Sequence, residues 1–270
     1  MFSKFSKLLF LLVLINLNFI YSKDIKLHIP IIEDSPNQHL FFHELLEKAL
    51  KENEQTPILI SSVLPQLRTK MYLDNGNLTI YWMIETRERN EKYIPIKVGL
   101  TNGLIGKRVL FIKKDNQDAF DNVKNLDDFR KLNLVAGMGE SWYDVKVWKE
   151  NNLNYKTQSG NWKVIFKMIS KGVRYDYFPR GINEILVEAK NYPYLGIEKN
   201  LVFIYDRDYI FYLSKEGKNA GIKYKDIIEK SLLKAKKSGL LEKLIQKYWK
   251  DDFEKLNYDE RIKLHLKTPK

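Results

Sequence analysis

The sequence predicts an α/β protein built as one large domain or two modest lobes, and three observations predict it. Short apolar runs of strand length alternate along the chain with longer segments of helical periodicity. An apolar content of 44%, with 13% aromatic residues, can build a real core, and 30% charged residues can cover it. Of the 270 residues, a leader accounts for the first 22, so about 248 remain, which suits one large domain or two lobes.

The leader opens the argument in chain order. Lys4 and Lys7 precede an apolar stretch from Leu8 to Ile20, interrupted only by Asn16 and Asn18, and the small residue Ser22 closes it. This reads as a secretory signal peptide over residues 1–22, cleaved after Ser22. The stretch is shorter than the roughly 20 residues that span a bilayer, so the mature chain is expected to be soluble and exported, in the periplasm or beyond. Without any cysteine there is no lipid-anchoring thiol, no disulfide and no cysteine metal site. The net charge of +12 becomes +10 when Lys4 and Lys7 are removed. Because the lysines are scattered through helical segments of an exported chain, nucleic acid is not expected as a partner. The excess reads as a solvated surface or as attraction for an acidic ligand.

Ile25 to Ile32 reads as a buried strand, and Gln38 to Lys51 as a helix with Leu40, Phe41, Leu45, Leu46 and Ala49 inward. Pro57 precedes a strand at Ile58 to Ile60. Leu64 to Leu73 is helical and closed by the turn Asp74-Asn75-Gly76, and Leu78 to Ile84 is β-branched and aromatic enough for a strand. Ile94 to Leu100 and Lys107 to Lys113 are further strands. Asn125 opens a short helix, Leu132 to Ala136 makes a strand, Gly137-Met138-Gly139 a turn, and Ser141 caps the helix that runs through Trp148. Trp162 to Ser170 is a helix ended by Gly172, Tyr175 to Phe178 a strand stopped by Pro179, and Ile182 to Lys190 a helix. Leu201 to Leu213 reads as one long strand, Lys225 to Lys250 as two amphipathic helices split by Gly239, and the charged tail from Asp251 as surface packing.

Four segments resemble one family in the family's own order. The helix, glycine, helix run from Ser231 through Gly239 to Tyr248-Trp249 resembles the C-terminal signature of the periplasmic family 3 solute-binding proteins (type II, amino-acid-binding-like). Thr86-Arg87-Glu88-Arg89 is similar to the family's Thr-Pro-Glu-Arg element. The segment from Asn125 to Gly139 is similar to its Leu-Asp-Asp-Leu, strand and turn, and Gly172-Val-Arg174-Tyr-Asp176 to its Gly-Arg-x-Asp strand entry. The run Tyr177-Phe-Pro-Arg180-Gly181 resembles a divergent branch. The resemblance implies a two-lobed periplasmic binding protein-like fold, each lobe a mixed sheet flanked by helices and joined by two crossing strands. Lobe one would be 23–112 plus 203–270 and lobe two 113–202, closing by hinge bending.

The resemblance assigns Arg89 to the solute carboxylate, where a planar guanidinium fork grips two oxygens at once, with Arg87 as the alternative if the register slips by two. The turn Gly139-Glu140-Ser141 precedes a helix whose free N–H groups favour an anion, although Glu140 opposes one, and Trp142 would cover a ligand face or pack in the core. Thr86 and Trp82 complete the candidate set. Amino-acid binders of this family carry hydroxyl residues seven and five positions before the arginine, where this chain has Trp82 and Ile84. Their acidic residue for the amine falls near Gly181, where this chain has Arg180. Arg180 therefore reads as a second anion-holding group, or else as half of a buried pair with Glu184 or Asp176.

The expected function is capture of a small polar, anionic or amino-acid-like solute for an inner-membrane ABC-type permease. The alternative is an orphan periplasmic sensor domain signalling to a membrane receptor. A monomer without cofactor is expected. Enzymes are the contrasting class: His39 and His43 share a helix face, but the glutamate beside them is Glu44 and no third zinc ligand is marked, while Gly139-Glu-Ser141 lacks the second glycine of a hydrolase elbow. The chain leaves no room for a fused lytic domain after the Trp249 helix.

Overall fold

The computed structural model describes residues 24–33 and 37–269, so the leader read over residues 1–22 lies outside the described residues. Two strands open the fold, β1 (Asp24–Ile32) and β2 (Thr56–Leu64), paired in parallel. Between them α1 (Gln38–Glu52) buries Phe41, Phe42, Leu45, Leu46, Ala49 and Leu50. Leu40, expected on that face, is 43% exposed, because a stripe through positions 41, 45 and 49 turns position 40 to its flank. After α2 (Gln66–Asp74), β3 (Ile80–Ile84) joins this unit through Thr79, whose N–H donates to the His28 carbonyl at 2.8 Å. Next come α3 (Arg87–Lys92) and β4 (Ile94–Ile96).

The chain then crosses to a second, larger sheet. Its strands are β5 (Lys107–Lys113), β6 (Ala136–Gly139), β7 (Tyr155–Gln158), β8 (Tyr177–Gly181), β9 (Leu195–Ile197) and β10 (Leu201–Ile204), with helices α4 (Leu126–Lys131), α5 (Tyr143–Glu150), α6 (Val164–Lys171) and α7 (Ile185–Asn191) between them. It returns through β11 (Tyr209–Leu213), which lies antiparallel between β3 and β4, and then α8 (Lys225–Lys237) and α9 (Leu240–Lys255) pack on α1. A last strand, β12 (Ile262–His265), pairs with β10, so the larger sheet runs β12-β10-β5-β8-β6-β7 with β9 beside β5.

Several sequence expectations are corrected here, each for a physical reason. Gly137 and Gly139 lie inside β6 rather than in a turn. A Cβ on Gly137 would come 2.8 Å from Ile165 Cγ2 and one on Gly139 2.5 Å from the Trp142 indole nitrogen, so these glycines serve close packing. The strand starts at Ala136, not Leu132, because Asn133 takes a left-handed turn (φ 52°) after α4. Pro179 does not stop β8. Opposite it, Leu110 turns its carbonyl the other way, to the Glu198 N–H at 2.9 Å, so no ladder bond is lost to proline.

The long strand read over Leu201 to Leu213 is two strands, broken at 205–208 where the chain crosses between sheets. There Asp208 accepts N–H bonds at 3.1 Å from Thr101 and Gly103 of the other crossing and also accepts from the Thr101 hydroxyl. The tail expected on the surface instead makes β12, burying Leu264 and Leu266 and forming a third connection between the sheets. Ser141 caps nothing: α5 begins after Trp142 and has no side-chain cap.

His43 lies on the inner flank of α1, with its Nε2–H donating to the Pro30 carbonyl at 3.0 Å. Burial lowers its pKa from 6.5 to about 4; the Pro30 bond opposes that shift and His39 adds to it. The unfolded chain binds this proton first, so the stability it reflects is present above about pH 6.5 and is lost as pH falls toward 4. Urea unfolding midpoints are expected to decline between pH 6.5 and pH 5 in the native chain and to decline less in His43→Gln. Equal slopes would remove His43 as the source.

Candidate functional site

Between the sheet β3-β11-β4 and the larger sheet lies a cleft of about 790 Å³, walled on one side by residues of α2, β3, α3 and β11 and on the other by the ends of β6 and β8 and the starts of α5 and α7. Arg89, Trp82, Gly139, Glu140, Ser141, Trp142 and Arg180 all line it, so seven of the eight predicted site residues share one cavity. The eighth, Thr86, does not. Its hydroxyl is the N-cap of α3, accepting the Arg89 N–H at 3.2 Å, and in that role it sets the direction from which Arg89 enters. Arg87 points outward to an exposed pair with Glu91 at 3.0 Å, so of these two it is Arg89 that faces the cleft.

The two arginines have different surroundings. One nitrogen of Arg89 donates to the Ile84 carbonyl at 2.5 Å, and no carboxylate pairs with it among the described residues. Lys70 lines the same wall, also without an ion pair among the described residues. Its pKa is pushed below the usual lysine range by desolvation and by the Arg89 charge beside it. Two phenols, Tyr81 and Tyr209, reach the cleft with no hydrogen-bond partner for their hydroxyls among the described residues. Burial raises both pKa values, that of Tyr81 to about 12, so both stay protonated and able to donate.

Arg180, expected to oppose Arg89 as a second anion holder, is instead neutralised. It donates through two nitrogens to Glu188 at 2.7 and 2.6 Å, lies 3.5 Å from Glu184, and is 7% exposed. Its guanidinium also sits 4.9 Å from the Trp142 ring centre and 5.1 Å from that of Trp162. Glu184 rather than Asp176 is thus the near neighbour, with Glu188 taking the fork; Asp176 instead accepts the Val135 N–H at 2.8 Å.

Behind it lies Arg108, the second residue of β5. It forks onto Asp144 at 2.7 and 2.9 Å, donates to Glu184 at 3.2 Å, and both Arg108 and Asp144 touch the Tyr205 hydroxyl. Burial works against the charge on Arg108, but Asp144 and its neighbours raise its pKa well above the usual value. In the same way burial lifts Glu184 while Arg180 and Arg108 bring it below the ordinary glutamate value, whereas burial holds Glu188 above it. Asp144 is the second residue of α5, so the helix start predicted to attract a ligand anion already carries a carboxylate. Gln38 Nε2 reaches across from α1 to Glu184 at 3.3 Å and joins the two walls.

Sequence reasoning missed Lys70, Tyr81, Tyr209, Trp162 and Arg108. Arg108, at the polar start of the strand beside Lys107, carried no signal that set it apart from a solvated strand end.

No protein-family model matches the chain, and no curated protein sequence matches it. Solved structures do. The amino acid ABC transporter substrate-binding protein AbpA from Streptococcus pneumoniae, bound to L-arginine, superposes with a TM-score of 0.59 at 18% identity, over 84% of this chain and 95% of that one. The probable amino-acid ABC transporter extracellular-binding protein ytmK from Bacillus subtilis gives 0.60 at 14% identity, over 85% and 100%. An ancestral amino-acid-binding protein described as a precursor of cyclohexadienyl dehydratase gives 0.57 at 18%, over 83% and 95%. The fold is therefore the two-lobed α/β fold of these substrate-binding proteins.

Removing Arg108 strands Asp144 and Glu184 as buried carboxylates. Arg108→Met is expected to cost about 3–5 kcal/mol of unfolding free energy in urea titrations. A loss below about 1 kcal/mol would show that the pair is not buried in solution.

Proposed function

We propose that this protein is an exported, non-catalytic solute receptor that captures a small anionic or amino-acid-like solute between its lobes and delivers it to an ABC-type permease. The observation that carries the reading is the charge of the cleft: Arg89 and Lys70 face it without carboxylate partners among the described residues, while the arginines of the other wall are neutralised. An anion entering there gains charge-assisted bonds that no side chain already supplies. The fold supports capture by closure, and the leader supports export. No helix of the described residues is long and apolar enough to cross a membrane. The interior carboxylates Asp144 and Glu184 are each bound to arginine, which suits binding better than general acid–base work.

In this reading the hinge is the pair of crossings at 97–106 and 205–208, held side by side by Asp208, and β12 belongs with lobe two. The sequence-derived limits at 112/113 and 202/203 fall inside β5 and β10, whose pairing lies in the larger sheet.

A thermal-shift panel of amino acids, dicarboxylates and cyclic acids tests the reading. A solute at 100 times its Kd stabilises the native state by about 2.7 kcal/mol. Arg89→Ala is expected to abolish that shift while leaving the unliganded melting point near that of the native chain. An undiminished shift in the variant would remove Arg89 from the site.

A further inference from the structure

The two walls of the cleft differ in chemistry, and the difference bears on what fills it. Among the described residues, Arg89 and Lys70 of the first wall face the cleft without a carboxylate partner, beside the donor hydroxyls of Tyr81 and Tyr209. The second wall presents two indole rings among polar side chains such as Gln158 and Asn161. Trp142 and Trp162 are half-buried, with ring centres 5.2 Å apart and planes inclined at 62°, and both line the cleft. Trp142 is held in place by a stacked contact with Phe178 at 5.7 Å and by Gly139, whose lack of a side chain makes room for the indole. Arg180 fixes both rings from its own ion pair, so the aromatic corner is rigid before any solute arrives.

The carboxylates matter as well. Glu184 accepts from Gln38, Arg108 and the Gly181 N–H, and Asp144 accepts a two-bond fork from Arg108. The cleft carboxylate without such partners, Glu140, is exposed. The interior therefore offers an acid group a strong hold and an amine a weak one.

Building on the solute-binding reading above, we propose that the solute is a ring-bearing acid, an aromatic or alicyclic carboxylate needing no α-amine, with its acid group on Arg89 and Lys70 and its ring against Trp142 and Trp162. A planar ring gains stacking and apolar burial there that an open-chain acid cannot, and a cleft of about 790 Å³ holds such a molecule with its water.

Isothermal titration of the mature protein with benzoate, cyclohexanecarboxylate, glutarate, L-phenylalanine and L-arginine tests this, with tryptophan fluorescence as a second readout. Benzoate and cyclohexanecarboxylate are expected to bind at least tenfold more tightly than glutarate or L-arginine, and L-phenylalanine no more tightly than benzoate. Binding should change the tryptophan emission. Trp142→Ala should weaken the ring acids at least tenfold, and Trp142→Phe, which keeps a ring, less than threefold. Tighter binding of glutarate or L-arginine, L-phenylalanine tenfold above benzoate, or benzoate binding untouched in both Trp142 variants would overturn the proposal while leaving the solute-binding reading in place. Binding of none of the five would overturn both.

Discussion

The structure depends on a buried ion network that ties the second lobe together behind the cleft. Arg108 from β5, Asp144 from α5, Arg180 from β8, Glu184 before α7 and Glu188 within it join four elements through charge-assisted bonds. Isolated charges at these burials would be costly, and the forks onto Asp144 and Glu188 supply the compensation. Two guanidiniums meet three carboxylates in this network, so it carries no spare positive charge toward the cleft. That balance makes the lobes unlike: lobe two contributes shape and aromatic surface, and lobe one contributes Arg89 and Lys70, which have no carboxylate partner among the described residues.

In the proposed reading, an anion lodged at Arg89 and Lys70 offsets the repulsion between those two cations, which stand side by side on the first wall. Gln38 already spans the gap to Glu184, and Lys146 stands 3.9 Å from Glu88 at the rim. The exposed Lys146–Glu88 contact is weak, about 1 kcal/mol or less, whereas the Gln38 bond ends on a buried carboxylate. Asp208 holds the two central crossings together, and in the proposed reading the bending that opens the lobes falls on the segments around it.

How much of this was legible in the sequence depends on the range of the interactions involved. Periodicity found α1, α8 and α9 and the buried strands β1 and β5, since local pattern and burial agree there. Arg89 could be placed because its position depends on a local device, the Thr86 cap three residues earlier. Arg180 could not be decided, because its partner Glu188 is eight residues on, across a strand end, a turn and a helix start, beyond the spacing that a helix rule covers. Arg108 and Asp144 are further apart still, and Lys70 reaches the cleft through the placing of α2 against β1. Gly137 and Gly139 misled because glycine signals a turn by its freedom, whereas here it serves close approach of neighbouring side chains. β7 and β9 were missed because β7 is short and polar and β9 has three residues around a glycine, so both are defined by the strands beside them.

The central claim is that the lobe-two arginines are already satisfied and that anions are held from lobe one. Proton–nitrogen spectra of the arginine Nε–H groups, recorded while benzoate is titrated in, address it directly. The Arg108 and Arg180 resonances should be protected from exchange and stay in place, while the Arg89 resonance moves with saturation. A displaced Arg180 resonance beside an unmoved Arg89 would contradict the account.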